Sequence, residues 1–357
     1  TGPGQKPYIP KNYDGRDHGY VTVRDALANS YNVPAVKALQ FAGIQETLNL
    51  AHDMGIQGLR RGLDYYGLAL TLGGGEVSLL DMTTAYSTFA NNGLAVNADP
   101  ILKIVDSRDR VVYCNSAYMR EDGQCMDTPV RDTADGTQAL DPRIAYMITS
   151  ILSDNRARTP AFGANSALKT SFPSAAKTGT TDNNRDSWTL GYTPNLAIGV
   201  WVGNSNNDEM NRITGAIGAA VIWNKIMETF HGNKEFVDLI RKRNDDGSLR
   251  DLQTEFEQPP GLVRASACSA RGGVTDLFLV DAKPRSGVCV TYKDPKENKQ
   301  LRSVPVERQP EQTQPRTQPR NQPPARPRPR VQPTPVPAKP TPIPGIIWPP
   351  AIEENTP

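Results

Sequence analysis

Two short polar clusters hold the side chains best suited to chemistry, Ser30-Tyr31-Asn32 and Lys177-Thr178-Gly179-Thr180-Thr181. The second sets one cation and several hydroxyls around a glycine. A lysine ammonium attracts a carboxylate as a point charge, and hydroxyls beside it add directional hydrogen bonds. A glycine inside a strand lets a ligand backbone come close. On composition alone the stretch is either a carboxylate receptor or a plain strand with an exposed lysine.

The surrounding pattern gives each cluster a setting. Thr22 caps a helix over residues 23–29, which stops at Ser30-Tyr31-Asn32. Pro34 suits the first turn of a second helix over residues 35–41, closed by Gly43. The first cluster is therefore a short loop pinned between two helices, able to hold side chains rigidly toward a cleft. The second cluster precedes two apolar runs, 187–192 and 196–203, rich in β-branched and aromatic residues and bounded by Pro, Asn and Gly. These predict an antiparallel meander with the lysine cluster on or beside its first strand. The glycines at 73–75 predict a tight, close-packed turn; no Gly-Lys-Ser/Thr follows, which rejects a phosphate loop. Ser78 caps a helix over 79–90, and Asp141-Pro142 opens another over 143–152. Residues 100–105 and 110–113 read as paired strands, 114–137 as an exposed excursion and 153–172 as a loop. Small residues from Gly215 onward begin a helix that ends near His231, suited to packing on a sheet. Strands with a helix on one face give an α+β fold, an antiparallel sheet with packed helices.

Bulk properties narrow the choices. The chain has 357 residues and a net charge of +2, so it carries no broad basic field and no nucleic-acid partner is implied. No apolar run reaches the length of a transmembrane helix. The three histidines are scattered and the four cysteines form no C-x-x-C pair, so neither a metal nor another cofactor is expected. Local disulfides Cys114–Cys125 and Cys268–Cys289 are one reading, and four unpaired thiols the other. More than half of the 31 prolines fall after Val304. Residues 303–357 therefore read as a disordered Pro/Gln/Arg-rich tail, and 233–302 as a small cysteine-containing appendage to a domain over 1–232.

Together and in this order, Ser30-Tyr31-Asn32 and Lys177-Thr178-Gly179-Thr180-Thr181 resemble the second and third signatures of the penicillin-binding proteins, class A type. Asn12-Tyr13-Asp14, Gly73-Gly74-Gly75-Glu76, Ser153-Asp154-Asn155 and Arg185-Asp186-Ser187-Trp188 add to the likeness, which covers about residues 8–230. The resemblance implies a transpeptidase fold and acyl transfer from D-Ala-D-Ala through a serine. Peptidoglycan stem peptides would be the substrates, and β-lactams would enter the same site. It implies that Ser30 relays a proton to the leaving amine, that Asn32 holds the substrate amide, and that Lys177 favours the terminal carboxylate. Thr178 and Thr180 would line the strand, Gly179 would let substrate lie along it, and the Thr180 N–H would face the oxyanion. The family's nucleophile lies in a Ser-x-x-Lys segment upstream of the second signature. The matches at Ser166–Lys169 and Ser174–Lys177 come too late in the chain. The expectation is thus a fragment without its nucleophile, incompetent for acylation. Its parent would be a bifunctional protein at the cell envelope, on the outer face of the bacterial cytoplasmic membrane, held there by an upstream anchor. A D-Ala-D-Ala carboxypeptidase and a non-catalytic envelope module on the same fold are the competing readings.

Overall fold

The computed structural model describes residues 9–62, 65–120, 122–126, 136–211, 213–241, 248–269, 272–284, 292–293 and 301–302. Caps start the helices where the sequence places them. Thr22 Oγ1 accepts from the Asp25 N–H at 3.0 Å and opens α1 (Val23–Ala28). Helix α2 (Asn32–Ala42) begins before residue 35, because Pro34 fits inside a first turn whose N–H groups have no helical partner anyway. Gly43, at φ +89°, ends α2 and leads into α3 (Ile44–Asp53). A 3-10 turn (Leu68–Leu72) brings in the glycine run, and Ser78 caps α4 (Leu79–Ala90). A β-carbon on Gly74 would lie 2.8 Å from the Ala69 carbonyl carbon, which is why that turn is glycine.

Four short strands follow. β1 (Leu94–Val96) pairs with β4 (Gly136–Gln138), and β2 (Lys103–Val105) with β3 (Val111–Cys114), as expected for the second pair. Cys114 and Cys125 are joined in a disulfide. The other cysteine pairing lies outside the described residues. Asp141 and Pro142 open α5 (Pro142–Leu152). The segment expected to be a loop then contains α6 (Asn155–Phe162), capped by Asp154. Pro160 disguises this helix, since a proline in a helix interior removes a hydrogen bond and crowds the preceding turn.

The central sheet has the order β5 (Ala175–Thr180), β6 (Asp186–Tyr192), β7 (Ala197–Gly203), antiparallel throughout. Its register sets Lys177 opposite Leu190 and Gly179 opposite Trp188. Helix α7 (Ala219–Gly232) starts later than expected, because Gly215–Gly218 form a turn pressed onto the sheet. Trp223 and Met227 of α7 are fully buried with Ala176 and Val200. On the opposite face Ala175 and Tyr192 pack with Leu152 of α5 and with Tyr86 and Phe89 of α4. Helices therefore cover both faces of the antiparallel sheet. The fold is α+β, an antiparallel sheet with packed helices, as expected. Burial of each large apolar side chain stabilises this core by about 1.5–3 kcal/mol.

Helix α8 (Lys234–Ile240), the hairpin β8 (Leu262–Ser269)–β9 (Gly272–Leu279) and the short antiparallel pair β10 (Tyr292–Lys293)–β11 (Leu301–Arg302) complete the described fold. The hairpin buries Leu262 and Leu277, and Phe256 meets the Tyr192 ring edge-on at 5.7 Å. Among the described residues, no helix is long and apolar enough to cross a membrane.

Candidate active site

The two polar clusters meet. Lys177 Nζ donates to Ser30 Oγ at 2.6 Å and to the Thr178 carbonyl at 2.8 Å. Burial, and after it the nearby Arg158 guanidinium, lower Lys177 from its ordinary 10.5 to about 8. The lysine is thus poised close to neutral pH while bonded to a hydroxyl. Such a pair can move a proton or hold an anion.

Several residues fix Ser30. It stands between α1 and α2 at φ +57°, a left-handed conformation that a non-glycine residue holds only with outside support. That support comes from Asn29, which is buried. Its side-chain amide donates to the Ala157 carbonyl at 2.9 Å and accepts from the Ala161 N–H at 3.0 Å. Those two backbone groups would otherwise bond each other along α6. Asn29 therefore inserts into the helix beside Pro160, a recognised way to bend one. The segment before α1 straps the other side of the loop. Asn32 Nδ2 donates to the Lys11 carbonyl at 2.8 Å, the Val33 N–H donates to Asn12 Oδ1 at 3.1 Å, and His18 stacks on Tyr31 at 3.9 Å.

Alternation along β5 divides the lysine cluster between two faces. Lys177 and Gly179 lie with Ala175 on the side of Ser30. Thr178 and Thr180 lie with Ala176, toward the turn before α7. Thr180 Oγ1 accepts from the Gly215 N–H at 2.9 Å, and a β-carbon on Gly215 would stand 2.9 Å from Thr178 Cβ and 2.6 Å from the Gly179 carbonyl. The Gly215 turn therefore braces the strand from behind. Beyond Thr180, Thr181 Oγ1 donates to Asp186 Oδ2 at 2.7 Å and accepts from the Asp186 N–H at 2.9 Å. Trp201 Nε1 holds the other carboxylate oxygen at 2.8 Å. The glycine turn arrives at the same end: a β-carbon on Gly73 would lie 3.2 Å from Thr181 Cγ2. Strand β5 is the first of its sheet, so among the described residues one of its edges has no partner strand. An extended peptide could add to that edge.

Beneath the lysine is a cavity of about 10 Å3, lined by Ala28, Leu152, Arg158, Leu168, Ala176 and Lys177 among others. Arg158 is buried; its Nη2 donates to the Leu152 carbonyl at 2.5 Å, while its Nη1 has no partner among the described residues. Asn29 and Arg158 were given no role from sequence, and Asn12 entered only as part of the resemblance. The signal of the first two was a polar side chain within or beside a helical pattern. The second downstream Ser-x-x-Lys match shares Lys177 with the Lys177–Ser30 pair, but the serine of neither match bonds to Lys177 or to Ser30. Ser174 Oγ is bonded to Thr170 Oγ1 at 2.7 Å, and Lys169 is exposed. Among the described residues no cluster could hold a metal ion.

This arrangement can be set beside known proteins. The family description "penicillin binding protein transpeptidase domain" matches residues 2–228. Penicillin-binding protein 1A of Neisseria meningitidis serogroup A is 32% identical over 223 residues, covering 62% of this chain and 26% of that protein. Penicillin-binding protein 1A of Aquifex aeolicus is 32% identical over 234 residues, covering 64% of this chain and 29% of that protein. The chain thus spans less than a third of the length of these curated relatives. The crystal structure of penicillin-binding protein 1A from Haemophilus influenzae superposes with a TM-score of 0.58 at 25% identity, covering 81% of this chain and 44% of that one. PonA1 from Mycobacterium tuberculosis shares the fold, with a TM-score of 0.51 at 24% identity over 70% of this chain and 66% of that one. A family match over most of the sequence, on a fold and a chain order that these relatives share, places this chain in the penicillin-binding protein transpeptidase domain family.

Proposed function

We propose that this chain supplies the substrate-binding side of a serine D,D-transpeptidase site that cross-links peptidoglycan stem peptides and is acylated by β-lactams. The observation that carries the reading is the 2.6 Å bond from Lys177 Nζ to Ser30 Oγ beside the open edge of β5. A donor stem peptide lies along that edge, its terminal carboxylate drawn to the Lys177 ammonium. A serine hydroxyl attacks the carbonyl of the penultimate D-alanine and gives its proton to its own base. The peptide C–N bond breaks as Ser30 delivers a proton to the departing D-alanine nitrogen, and an ester remains on the serine. An amine of a second stem peptide attacks that ester, forming the cross-link amide and returning the proton to the serine oxygen. The Thr180 N–H donates to the oxyanion, a contact whose loss costs about 3–4 kcal/mol in comparable sites. Asn32 holds the substrate amide after releasing Lys11.

The acylated serine belongs to a Ser-x-x-Lys segment outside these 357 residues. Ser166 and Ser174 do not fill the role, because neither hydroxyl is bonded to Lys177 or Ser30. Residues 1–232 make up the transpeptidase part, 233–302 a small addition and 303–357 a tail. The parent protein is a membrane-anchored envelope enzyme that also polymerises glycan strands. Labelled penicillin tests the assignment on a denaturing gel. This chain alone stays unlabelled and the protein carrying both signatures and the Ser-x-x-Lys segment is labelled. A covalent label on residues 1–357 alone would overturn the placement of the nucleophile.

A further inference from the structure

The hairpin β8–β9 comes from the stretch to which sequence reading assigned no role, yet it reaches the loop that holds Ser30. The contact runs through Arg24, in the first turn of α1. Arg24 Nε donates to both Asp276 carboxylate oxygens at 3.0 Å, and Nη2 to Asp276 Oδ1 at 2.5 Å. The same guanidinium donates to the Ser150 carbonyl at 2.8 Å, to Ser150 Oγ at 3.1 Å and to Asp154 Oδ2 at 3.2 Å. One side chain therefore joins α1, the end of α5, the cap of α6 and strand β9.

Each of those partners leads back to Ser30. Helix α1 runs directly into it. Asp154 accepts from the Ala157 N–H at 2.9 Å and so caps α6, the helix that receives the Asn29 amide. Arg24 thus holds both supports of a residue whose φ of +57° requires them. Asp276 is itself fixed, since its Oδ1 accepts from the Leu277 N–H at 2.8 Å and Leu277 is buried. Burial works against the Asp276 charge, and Arg24 together with the Leu277 N–H and the Arg264 charge more than offsets it, so its pKa lies below the ordinary carboxylate value. A planar guanidinium can serve four acceptors in this way, where a lysine could not.

We propose that the Asp276–Arg24 pair is a positioning device for the active site: the C-terminal hairpin clamps α1 and α6 so that Ser30 stays against Lys177. The function ascribed to that contact rests on the transpeptidase reading, but the clamp does not. Asp276 and Arg24 touch no reacting atom in this scheme and act only through Asn29 and Ser30.

The test compares Asp276→Asn and Asp276→Glu with the unaltered protein by three measurements. These are thermal melting, titration of the Lys177 ζ-nitrogen by NMR, and the rate of acylation by labelled penicillin in the protein that carries the Ser-x-x-Lys segment. The expected result for Asp276→Asn is acylation slowed about tenfold, with the Lys177 midpoint rising from about 8 as the loosened loop admits water. Asp276→Glu restores both in part. An Asp276→Asn protein that melts earlier yet keeps the Lys177 midpoint and the acylation rate would reduce the pair to a structural ion pair and overturn the proposal. Should Asp276→Asn not fold, Arg24→Lys carries the same readouts, because it keeps the charge and loses the fork. If the unaltered protein is never acylated but Asp276→Asn still moves the Lys177 midpoint, the transpeptidase reading fails and the clamp stands.

Discussion

Arg158 and Lys177 line one small cavity, and the guanidinium of the first adds to burial in lowering the pKa of the second to about 8. Two cations share a site because each has a carbonyl to donate to, Leu152 for Arg158 and Thr178 for Lys177. The folded-state value lies below the ordinary 10.5, so the folded protein binds fewer protons than the unfolded chain between the two values. This group's cost to stability is full below about 8 and is relieved as pH rises from there to 10.5. Binding runs the other way. A carboxylate ligand needs the ammonium, so affinity for a β-lactam should fall as pH rises through about 8. Arg158→Met removes the neighbouring charge and should move that fall to higher pH. A titration of non-covalent β-lactam binding against pH measures both, and a flat profile from pH 7 to 9 would contradict the assignment of the carboxylate to Lys177.

Gly215→Ala should disable the substrate edge. The added methyl would lie 2.6 Å from the Gly179 carbonyl and 2.7 Å from the Trp188 carbonyl, both backbone atoms that cannot move independently. The turn must then shift and release the Gly215 N–H from Thr180 Oγ1. Overpacking of this kind costs about 1–3 kcal/mol, and here the displacement falls on the lysine strand. β-Lactam binding should weaken by about tenfold or more while the chain still melts cooperatively. Unchanged binding would show that the turn does not set the edge.

The sequence makes plain those parts of the fold whose signals are local. Thr22, Ser78 and Asp141 cap helices because a cap needs only a side chain and the next turn. The strands around Trp188 and Val200 announce themselves by β-branched and aromatic alternation. The Cys114–Cys125 bond was one open reading, and short separation favours it. What stays hidden is non-local. Helix α6 is masked by Pro160, and the compensation for that proline is Asn29, a residue far away in sequence. The bond from Lys177 to Ser30 spans 147 positions, so neither spacing nor periodicity shows it; only the resemblance placed the two together. The partners of Arg24 and Arg158 are likewise brought to them only by the fold: Asp276 lies 252 positions from Arg24, and the Leu152 carbonyl meets Arg158 across the junction of α5 and α6.

Gly191→Ala should destabilise the domain without touching the site. The Gly191 α-carbon faces Trp223, and a β-carbon would come within 2.4 Å of the indole ring and 2.7 Å of the Ala175 carbonyl. Trp223 is fully buried against Ala176 and Val200, so the ring has nowhere to retreat. A loss of about 1–3 kcal/mol is expected in urea unfolding. Trp223→Ala should cost more, about 3–5 kcal/mol, because it leaves a cavity that the helix cannot close. A pair of equal midpoints would show that α7 repacks freely on the sheet.

Tyr192→Phe tests the polar contact inside the core. The Thr149 hydroxyl has one proton and gives it to the Ala145 carbonyl at 2.9 Å, so in the 2.8 Å contact with Tyr192 the phenol is the donor. Burial raises the Tyr192 pKa well above its ordinary value, which keeps that proton in place at neutral pH. Removing the phenol oxygen takes away a donor and leaves Thr149 with its own bond intact. No buried hydrogen is orphaned, and the ring contacts with Phe89 and Phe256 remain. The cost should therefore be that of one net hydrogen bond, about 1 kcal/mol. Thr149→Val strands the phenol hydrogen instead and should cost more, about 1–3 kcal/mol. Urea unfolding of the two variants side by side measures the difference. A Tyr192→Phe loss equal to or larger than the Thr149→Val loss would reverse the donor assignment.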